Sequence, residues 1–435
     1  MGNESSSQGQ QYGKKITNNV AIKWIKSSKQ CVFAAREGQA SAVLGGKLYL
    51  FGGVLLNTGN QDSESNELLV LDVESGVWGK EKCTGELPSQ RSGATMVAVG
   101  KKLYLFGGLS QFTGWMDDFY FYDVETKVWT QITAKNGPSP RDKLSAAVFE
   151  SKIYFFGGFG PAGEDEVSAE DVLPIDDDGD DEYEDIDELH EVRNFQDAAN
   201  FTWSDQLFIF DTVTEKWELK IPENVEKLPS ARAAHTVTPV VGSGGQKSLF
   251  VFGGKDSKSR QNDLWRYIVE QNKWECCHTF GRQPQPRSFH AATAVGKRLI
   301  IHGGRGISDQ HLGDFNIFDT ETMQWLQPDV SCVSEAGDSI TPPPEVGLHT
   351  LCSLNNAVVL YGGTSNLDPA TGTCTQFYND VYLLKFKDVL TGQATSEEEK
   401  ENNKEQEQNV PSFLNLKQVN PTDSKPEVTS SPETS

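Results

Sequence analysis

The sequence lacks the features that define membrane-spanning and secreted proteins. None of its apolar runs approaches the roughly 20 residues that cross a bilayer, and its polar, Ser/Gln-rich beginning does not resemble a secretory signal. The seven cysteines are odd in number, and none belongs to a paired C-x-x-C arrangement. This usage is typical of free thiols in a reducing compartment, so we expect no transmembrane segment and a cytoplasmic or nuclear location, or both.

An excess of basic charge is also missing. The formal net charge is −23, and two segments hold most of it. Residues 164–191 contain sixteen acidic and no basic side chains, and residues 388–435 contain ten acidic and four basic ones. The rest of the chain is almost neutral. Because nucleic-acid binding needs a basic face, this distribution disfavours DNA and RNA, and we expect no nucleic-acid partner.

Catalytic motifs are absent as well. The sequence contains no H-E-x-x-H, nucleophile elbow, Walker loop or dinucleotide fingerprint. Three of its seven histidines, His235, His290 and His349, recur at one position of a repeat, which is typical of structural residues. We therefore predict that the protein is not an enzyme and uses neither a metal nor a cofactor.

What the sequence does contain is a sixfold repeat, marked by a glycine pair after a short apolar run. The pairs end at Gly53, Gly108, Gly158, Gly254, Gly304 and Gly363. An arginine stands sixteen residues before the first glycine of four pairs, at positions 36, 91, 141 and 287. Arg232 fits the same pattern once the five extra residues of the V-G-S-G-G-Q-K turn are allowed for, and Val346 takes the arginine's place in the sixth unit. An uninterrupted run such as L-Y-L-F predicts a strand buried on both faces, and the two glycines allow backbone angles that other residues avoid.

A second marker follows each glycine pair except the last. Aspartates at positions 72, 123, 211 and 319 precede a tryptophan by six residues, and Ile268 takes the aspartate's place before Trp274. This pattern predicts a strand, a polar turn and a strand with a large aromatic side chain. One four-stranded sheet cannot bury both of its faces, but sheets stacked around an axis can. The sequence thus predicts an all-β, six-bladed propeller over about residues 20–388.

The count of tryptophans predicts how the ring closes. The sixth unit has no tryptophan strand after it, whereas Trp24 lies in an apolar segment before the first unit. We therefore expect the N-terminal strand to complete the sixth blade.

These residues carry a family resemblance. Glycine pairs, an aspartate-led turn and a tryptophan at a period of about fifty residues resemble the kelch repeat. The resemblance covers most of the chain. It implies a six-bladed kelch β-propeller that acts through binding, and we expect it to be monomeric.

Three segments fall outside the predicted blades. Residues 1–19, the acidic insertion in blade three at about 161–199 and the polar tail 389–435 are predicted to be disordered, because charge and low hydrophobicity prevent a packed core. For the acidic insertion, a basic partner or weak calcium binding is the alternative. The opening M-G-N-E-S-S fits the myristoylation pattern, with Gly2 as acceptor, or else it is an ordinary polar tail.

Binding residues are expected at one mouth of the propeller, after the second strand and before the first strand of each blade. The residues after the glycine pairs are Val54, Leu109, Phe159, Lys255, Arg305 and Thr364. Lys255, Lys258, Arg260, Arg287 and Ser288 form the richest cluster of cations and hydroxyls. Such a cluster suits a carboxylate, although a solvated loop explains the charge equally well.

A closer resemblance concerns residues 138–292. The runs S-P-R-D-K-L, F-G-G-K-D-S-K-S-R-Q-N-D-L and P-R-S-F-H resemble the kelch domain-containing protein 1 and 2 group. That group includes substrate receptors of Cullin-RING ubiquitin ligases that bind glycine-ended C-terminal degrons. The resemblance implies a peptide pocket containing Lys143, Phe159, Trp203, Lys255, Arg260 and Ser288. Within it, Arg260 and Ser288 would hold the terminal carboxylate, and Trp203 would form a wall.

The sequence also departs from that group. Lys255 replaces an arginine, and lysine cannot form a bidentate fork. Val54 and Leu348 replace aromatic residues, and nothing after residue 388 resembles the helical box that recruits elongin and cullin. Two functions therefore remain open: a peptide-binding adaptor in ubiquitin targeting, or a scaffold for small GTPases, trafficking or cytoskeletal proteins. A deep pocket where the cations converge favours the first, and a flat mouth favours the second.

Overall fold

Six blades, each built on four antiparallel strands, surround a central channel in the computed structural model, which describes residues 21–29, 31–56, 63–162, 201–354 and 357–385. The predicted disordered segments and Gly2 lie outside these residues, apart from Pro161 and Ala162. The predicted six-bladed propeller is confirmed. Among the described residues, no helix is long and apolar enough to span a bilayer.

Each blade contains four strands, counted here from the channel outwards. The first strands are Ala40–Leu44, Thr95–Val99, Ser145–Phe149, Thr236–Val241, Ala291–Val295 and Thr350–Leu354. The second strands are Lys47–Phe51, Lys102–Phe106, Lys152–Phe156, Lys247–Phe252, Arg298–His302 and Ala357–Tyr361. The second strands are almost entirely buried, as the uninterrupted apolar runs predict.

The outer strands follow the aspartate-led pattern. The third strands are Leu68–Asp72, Phe119–Asp123, Leu207–Asp211, Leu264–Ile268, Phe315–Asp319 and Val381–Lys385. The fourth strands are Val77–Lys80, Val128–Ile132, Lys216–Lys220, Lys273–Cys276, Gln324–Leu326 and Ala21–Lys26. The predicted turns form because the aspartate side chain accepts backbone N–H groups; Asp123, for example, accepts from Glu125 and Thr126 at 3.0 and 2.9 Å. Two 3-10 turns, Ser243–Gly245 and Val269–Gln271, interrupt the fourth blade.

The N-terminal strand closes the ring as predicted. Ala21–Lys26 pairs antiparallel with Val381–Lys385, and Trp24 lies opposite Leu384. The structure adds a neighbour that the sequence did not reveal: Asp329–Ser334 runs parallel to the N-terminal strand on its outer side and is followed by Ser339–Ile340. A similar short strand, Thr84–Gly85, borders blade two.

Short hairpins project from the ends of the second strands. In blade one, Val54–Leu55 pairs with Arg36–Glu37 on one side and with Ser63–Glu64 on the other. The other hairpins pair Leu109–Ser110 with Gly114–Trp115, Phe159–Pro161 with Phe201–Trp203, and Thr364–Asp368 with Thr373–Phe377. In blades four and five, the bridges Lys255–Arg260 and Arg305–His311 take their place. All of these hairpins lie at one mouth of the channel.

The glycine pairs and repeat arginines connect neighbouring blades. The second glycine of each pair donates its N–H to the carbonyl of the arginine in the next blade, for example Gly108 to Arg141 at 3.0 Å. Because the chains approach so closely, a Cβ on Gly107 would lie 2.6 Å from that same carbonyl oxygen. Val346 fulfils the same backbone role, accepting from Gly304 at 2.8 Å. This explains why valine can replace arginine in the sixth unit.

The arginine side chains act within their own blades. Each of the five donates Nη1 to the carbonyl of the first glycine of the following pair, at 3.0 to 3.3 Å. Acidic side chains also contact these arginines: Glu67 contacts Arg36, Asp118 contacts Arg91, Asp263 contacts Arg232 and Asp314 contacts Arg287. Burial favours a raised pKa for Asp314, but the Arg287 guanidinium holds that pKa below its usual value. Arg287 is fully buried, so it is structural rather than part of the mouth cluster.

Candidate functional site

A ring of backbone hydrogen bonds forms the floor of the mouth. Each blade contributes the residue two positions before its first strand, and its N–H donates to the carbonyl of the equivalent residue in the preceding blade, at 2.8 to 3.2 Å. The six residues are Gly38, Gly93, Lys143, Ala234, Phe289 and Leu348. All six have left-handed φ angles between 52° and 65°. Four of them are not glycine, so this conformation is held by the ring itself.

A cavity of about 130 Å³ lies above this floor, and all six blades contribute to its lining. Its basic residues are Lys143, Lys255, Arg260 and Arg305, and its acidic residues are Glu37, Asp142 and Asp309. Apolar side chains complete the lining: Val54, Leu109, Phe289, Leu348, Leu367 and Phe377. The mouth is therefore a recessed site with concentrated, mixed charge rather than a flat surface.

Arg260 is held in the cavity by two side chains. It is 9% exposed, and its Nε donates to Ser288 Oγ at 2.8 Å. Its Nη2 forms an ion pair with Asp309, whose side chain is 42% exposed on a turn at the rim. Ser288 is fully buried and does not line the cavity; in this structure it positions the arginine.

Lys143 and Lys255 lie on either side of this arrangement. Lys143 Nζ lies 3.3 Å from Asp142 Oδ2 and 6.0 Å from the centre of the Phe289 ring. The backbone of Lys255 forms bridges with Ala233 and Arg260. The structure thus brings together three of the predicted binding residues, Lys143, Lys255 and Arg260.

Phe159 and Trp203 occupy a different part of the mouth. Their rings lie 4.9 Å apart in a hairpin that packs on blade two. Trp115 contacts the same group, with its ring 6.0 Å from Phe159 and 4.7 Å from Phe201, and it donates Nε1–H to Asp142 Oδ1 at 3.1 Å. These aromatic rings do not line the cavity, although Asp142 connects the two regions.

Below the floor, histidines line the channel. His235, His290 and His349 are each less than 10% exposed and border a cavity of about 280 Å³. His349 Nε2 lies 3.0 Å from Nδ1 of His302. Burial, with a smaller contribution from Arg232, lowers the pKa of His235 to about 3, and burial lowers that of His349 to about 3. These histidines are neutral at pH 7, and no group of three metal-ligating side chains forms among the described residues.

This neutrality predicts acid sensitivity. The unfolded chain binds protons on these histidines near pH 6.5, whereas the folded chain does not, so stability falls as the pH drops below 6.5 and continues to fall towards pH 3. At pH 5 each such histidine lowers the free energy of unfolding by about 2 kcal/mol relative to pH 7. Urea denaturation at the two pH values measures this loss. His235→Leu should reduce it, and the exposed control His278→Ala should not; equal stability at pH 5 and pH 7 would contradict the interpretation.

The comparison with protein families agrees with this architecture. The KLHDC2/KLHL20/DRC7 Kelch-repeats domain model matches residues 38–176 and 195–406. The chain belongs to the kelch-repeat family. Its kelch relatives include Kelch domain-containing protein 1 of Homo sapiens, 30% identical over 371 residues that cover 82% of this chain and 81% of the relative.

Two further kelch relatives match between 72% and 80% of this chain. Kelch domain-containing protein 2 of Bos taurus is 29% identical over 80% of each chain. Kelch domain-containing protein 3 of Homo sapiens is 29% identical over 72% of this chain and 75% of the relative. The resemblance inferred for blades three to five therefore extends over most of the chain. Together with the fold, these kelch relatives support a propeller that serves as a protein-binding scaffold.

Sequence reasoning missed several residues of the kelch mouth. Because Arg305 follows a glycine pair, the sequence predicted that it lies at the mouth. No sequence signal predicted that it lines the cavity. The acidic partners Asp142 and Asp309, and the ring of Phe289, were not anticipated. Phe289 occupies the same repeat position as Lys143, and this equivalence is the sequence signal that identifies it.

Proposed function

We propose that this mouth binds the C-terminal end of a protein partner and that Arg260 holds the terminal carboxylate. One observation carries the proposal: the nearly buried Arg260 guanidinium donates to Ser288 and already donates to a carboxylate, that of Asp309, at the cavity rim. Charge-assisted hydrogen bonds of this kind are the strong ones in recognition. A peptide carboxylate replaces Asp309, whose exposed side chain can turn into solvent.

The remaining cations support the same ligand. Lys255 adds a positive charge beside Arg260. Its ammonium group acts as a point charge, because it cannot form the bidentate contact that a second guanidinium would form. The cavity floor is a ring of backbone with glycine at two of its six positions and alanine, phenylalanine, leucine and Lys143 at the others. Such a floor suits a small terminal residue, because a large one meets the Phe289 and Leu348 side chains.

Apolar side chains at the rim extend the contact surface. Leu56, Phe112 and Ile307 project from hairpins around the mouth and are 45%, 79% and 64% exposed. Exposed apolar groups around a polar recess favour a protein partner over a free small molecule.

The cellular role proposed here is that of a non-catalytic adaptor in ubiquitin targeting. It is supported by resemblance to the kelch domain-containing protein 1 and 2 group, and a connection to a Cullin-RING ligase is part of the proposal. Recovery of cullin components with the full chain in a pull-down supports this role. Recovery of partners whose C-termini are blocked favours instead a scaffold for small GTPases, trafficking or cytoskeletal proteins.

A matched pair of peptide pools tests the binding mode. Both pools carry randomised residues at their last four positions, and they differ only in ending as a free acid or an amide. We expect the immobilised full chain to retain acid peptides, and the best of them to bind at least tenfold more tightly than their amides, because amidation removes the charge that Arg260 recognises. Fluorescence anisotropy at low salt measures the ratio. Equal retention of the two pools, or retention of neither, contradicts the proposal.

A further inference from the structure

Arg305 occupies in blade five the place that Lys255 occupies in blade four. Each residue follows its glycine pair directly and begins a short hairpin, bridging to His311 and Arg260, respectively. Each also pairs with a residue that precedes the first strand of its own blade, Arg305 with Ser288 and Lys255 with Ala233. The mouth therefore carries a second basic position, displaced by one blade from the first.

Within the described ranges, the Arg305 guanidinium has no acidic partner. The residue is 8% exposed, its Nη2 donates to Cys374 Sγ at 3.3 Å, and its Nε has no hydrogen-bond acceptor. In the same cavity, Arg260 pairs with Asp309 and Lys143 with Asp142. A buried cation without a counter-charge is costly, so this position is suited to an anion from outside the chain.

The groups around Arg305 do not supply that anion. Burial raises the pKa of Cys374, so its thiol is uncharged at neutral pH. Burial and the nearby Arg305 lower the pKa of His311 to about 4, so that ring is neutral too. The third acid of the cavity, Glu37, accepts a hydrogen bond from Thr364 Oγ1.

The position of Arg305 relative to Arg260 determines how far apart two negative charges on one ligand must lie. Ser288 pairs with Arg305 across the bridge, so their side chains leave the backbone on the same side, and Ser288 Oγ also holds Arg260. The Arg305 guanidinium lies 5.2 Å from the centre of the Phe289 ring, and Lys143 Nζ approaches that ring too. Arg305 and Lys143 therefore both lie within about 6 Å of the Phe289 ring centre, in the cavity that also contains Arg260.

We propose that Arg305 and Lys143 form a second anion position, and that the ligand is a C-terminal peptide with an acidic side chain among its last three residues. This inference rests on the proposed function, since it assumes that the terminal carboxylate binds at Arg260. It adds a requirement that carboxylate recognition alone does not impose: two negative charges close together at the end of the peptide.

The test uses one ten-residue peptide that is neutral apart from its terminus, together with three variants carrying Glu at the last, second-last or third-last position. Each is made as a free acid and as an amide and is titrated by anisotropy against the full chain. We expect one Glu position to improve binding at least fivefold. Arg305→Met should remove that improvement while the preference for acid over amide persists. Arg282→Met removes an exposed charge outside the cavity. It should change neither the improvement by Glu nor the preference for acid over amide.

The outcomes separate this inference from the proposed function. If acid is preferred over amide but no Glu position helps, the second anion position is refuted and carboxylate binding stands. If Arg305→Met weakens neutral and acidic peptides equally, Arg305 binds the terminal carboxylate itself, which also overturns the inference. If neither acid nor amide binds, the proposed function fails.

The stability of the variant gives an independent readout. Because Arg305→Met removes an unpaired buried charge, its melting temperature should be no lower than that of the wild type. If the variant does not fold, Arg305→Lys decides: it keeps the charge but loses the fork, and it should retain part of the preference for Glu. If Arg305→Lys prefers the Glu peptide as strongly as the wild type does, or shows no preference for it, the role of the guanidinium fork is contradicted.

Discussion

Replacing Trp24 with alanine is expected to lower the free energy of unfolding by about 3–5 kcal/mol, the usual cost of removing a large buried aromatic side chain. Trp24 is fully buried, its ring lies 4.9 Å from that of Phe315, and it belongs to the apolar cluster between blades five and six. Its strand also lies between two others, Val381–Lys385 and Asp329–Ser334. Loss of the strand therefore exposes two strand edges at once.

The closure itself is tested by removing the strand and returning it separately. A chain that lacks residues 1–27 should unfold at a much lower urea concentration than the full chain. A synthetic peptide of residues 20–27 should restore stability in a concentration-dependent way, and the same peptide with Trp24→Ala should not. A truncated chain as stable as the wild type, or rescue by both peptides alike, would show that the N-terminal strand does not close the ring.

Arg260→Ala is expected to weaken binding of an acid-terminated peptide by roughly 10- to 100-fold, because it removes a charged hydrogen bond from a nearly buried position. The fold should persist, since the arginine side chain contacts Ser288 and the exposed Asp309 but belongs to no core cluster. Titration by anisotropy and urea denaturation of the same samples measure the two effects separately.

Two further variants test whether the effect of Arg260→Ala is specific to the carboxylate site. Arg282→Ala removes an exposed positive charge and should change the affinity by less than about twofold at physiological salt. Asp309→Asn removes the carboxylate that occupies Arg260 in the free protein, so it should bind the peptide more tightly than the wild type. Unchanged affinity in Arg260→Ala, or weaker binding in Asp309→Asn, would show that the carboxylate binds elsewhere.

The fold was predictable because its determinants are local and recur. Glycine pairs at regular spacing mark the ends of the second strands, and Gly107 shows why: the next blade leaves no space for a Cβ. The unpaired tryptophan strand at residue 24 predicted the closure. The parallel pairing with Asp329–Ser334 was not predictable, because a parallel partner more than 300 residues away leaves no turn signal in the sequence.

The site was predictable only in part. Its location at the mouth follows from the repeat, and Lys143, Lys255 and Arg260 meet there as the resemblance implied. Equivalent positions nevertheless differ in their surroundings: Thr364 is fully buried, and Phe159 packs against other aromatic rings, whereas Arg305 lines the cavity. Hairpin length and contacts between blades decide these differences, and a single repeat does not encode them.

The most direct measurement of the central claim is a crystal structure of the full chain with the tightest-binding acid peptide. We expect a terminal carboxylate oxygen about 3 Å from the Arg260 guanidinium, with the Asp309 side chain displaced and the Ser288 contact retained. A peptide that lies across the rim with its terminus in solvent, while Asp309 remains paired with Arg260, would contradict it.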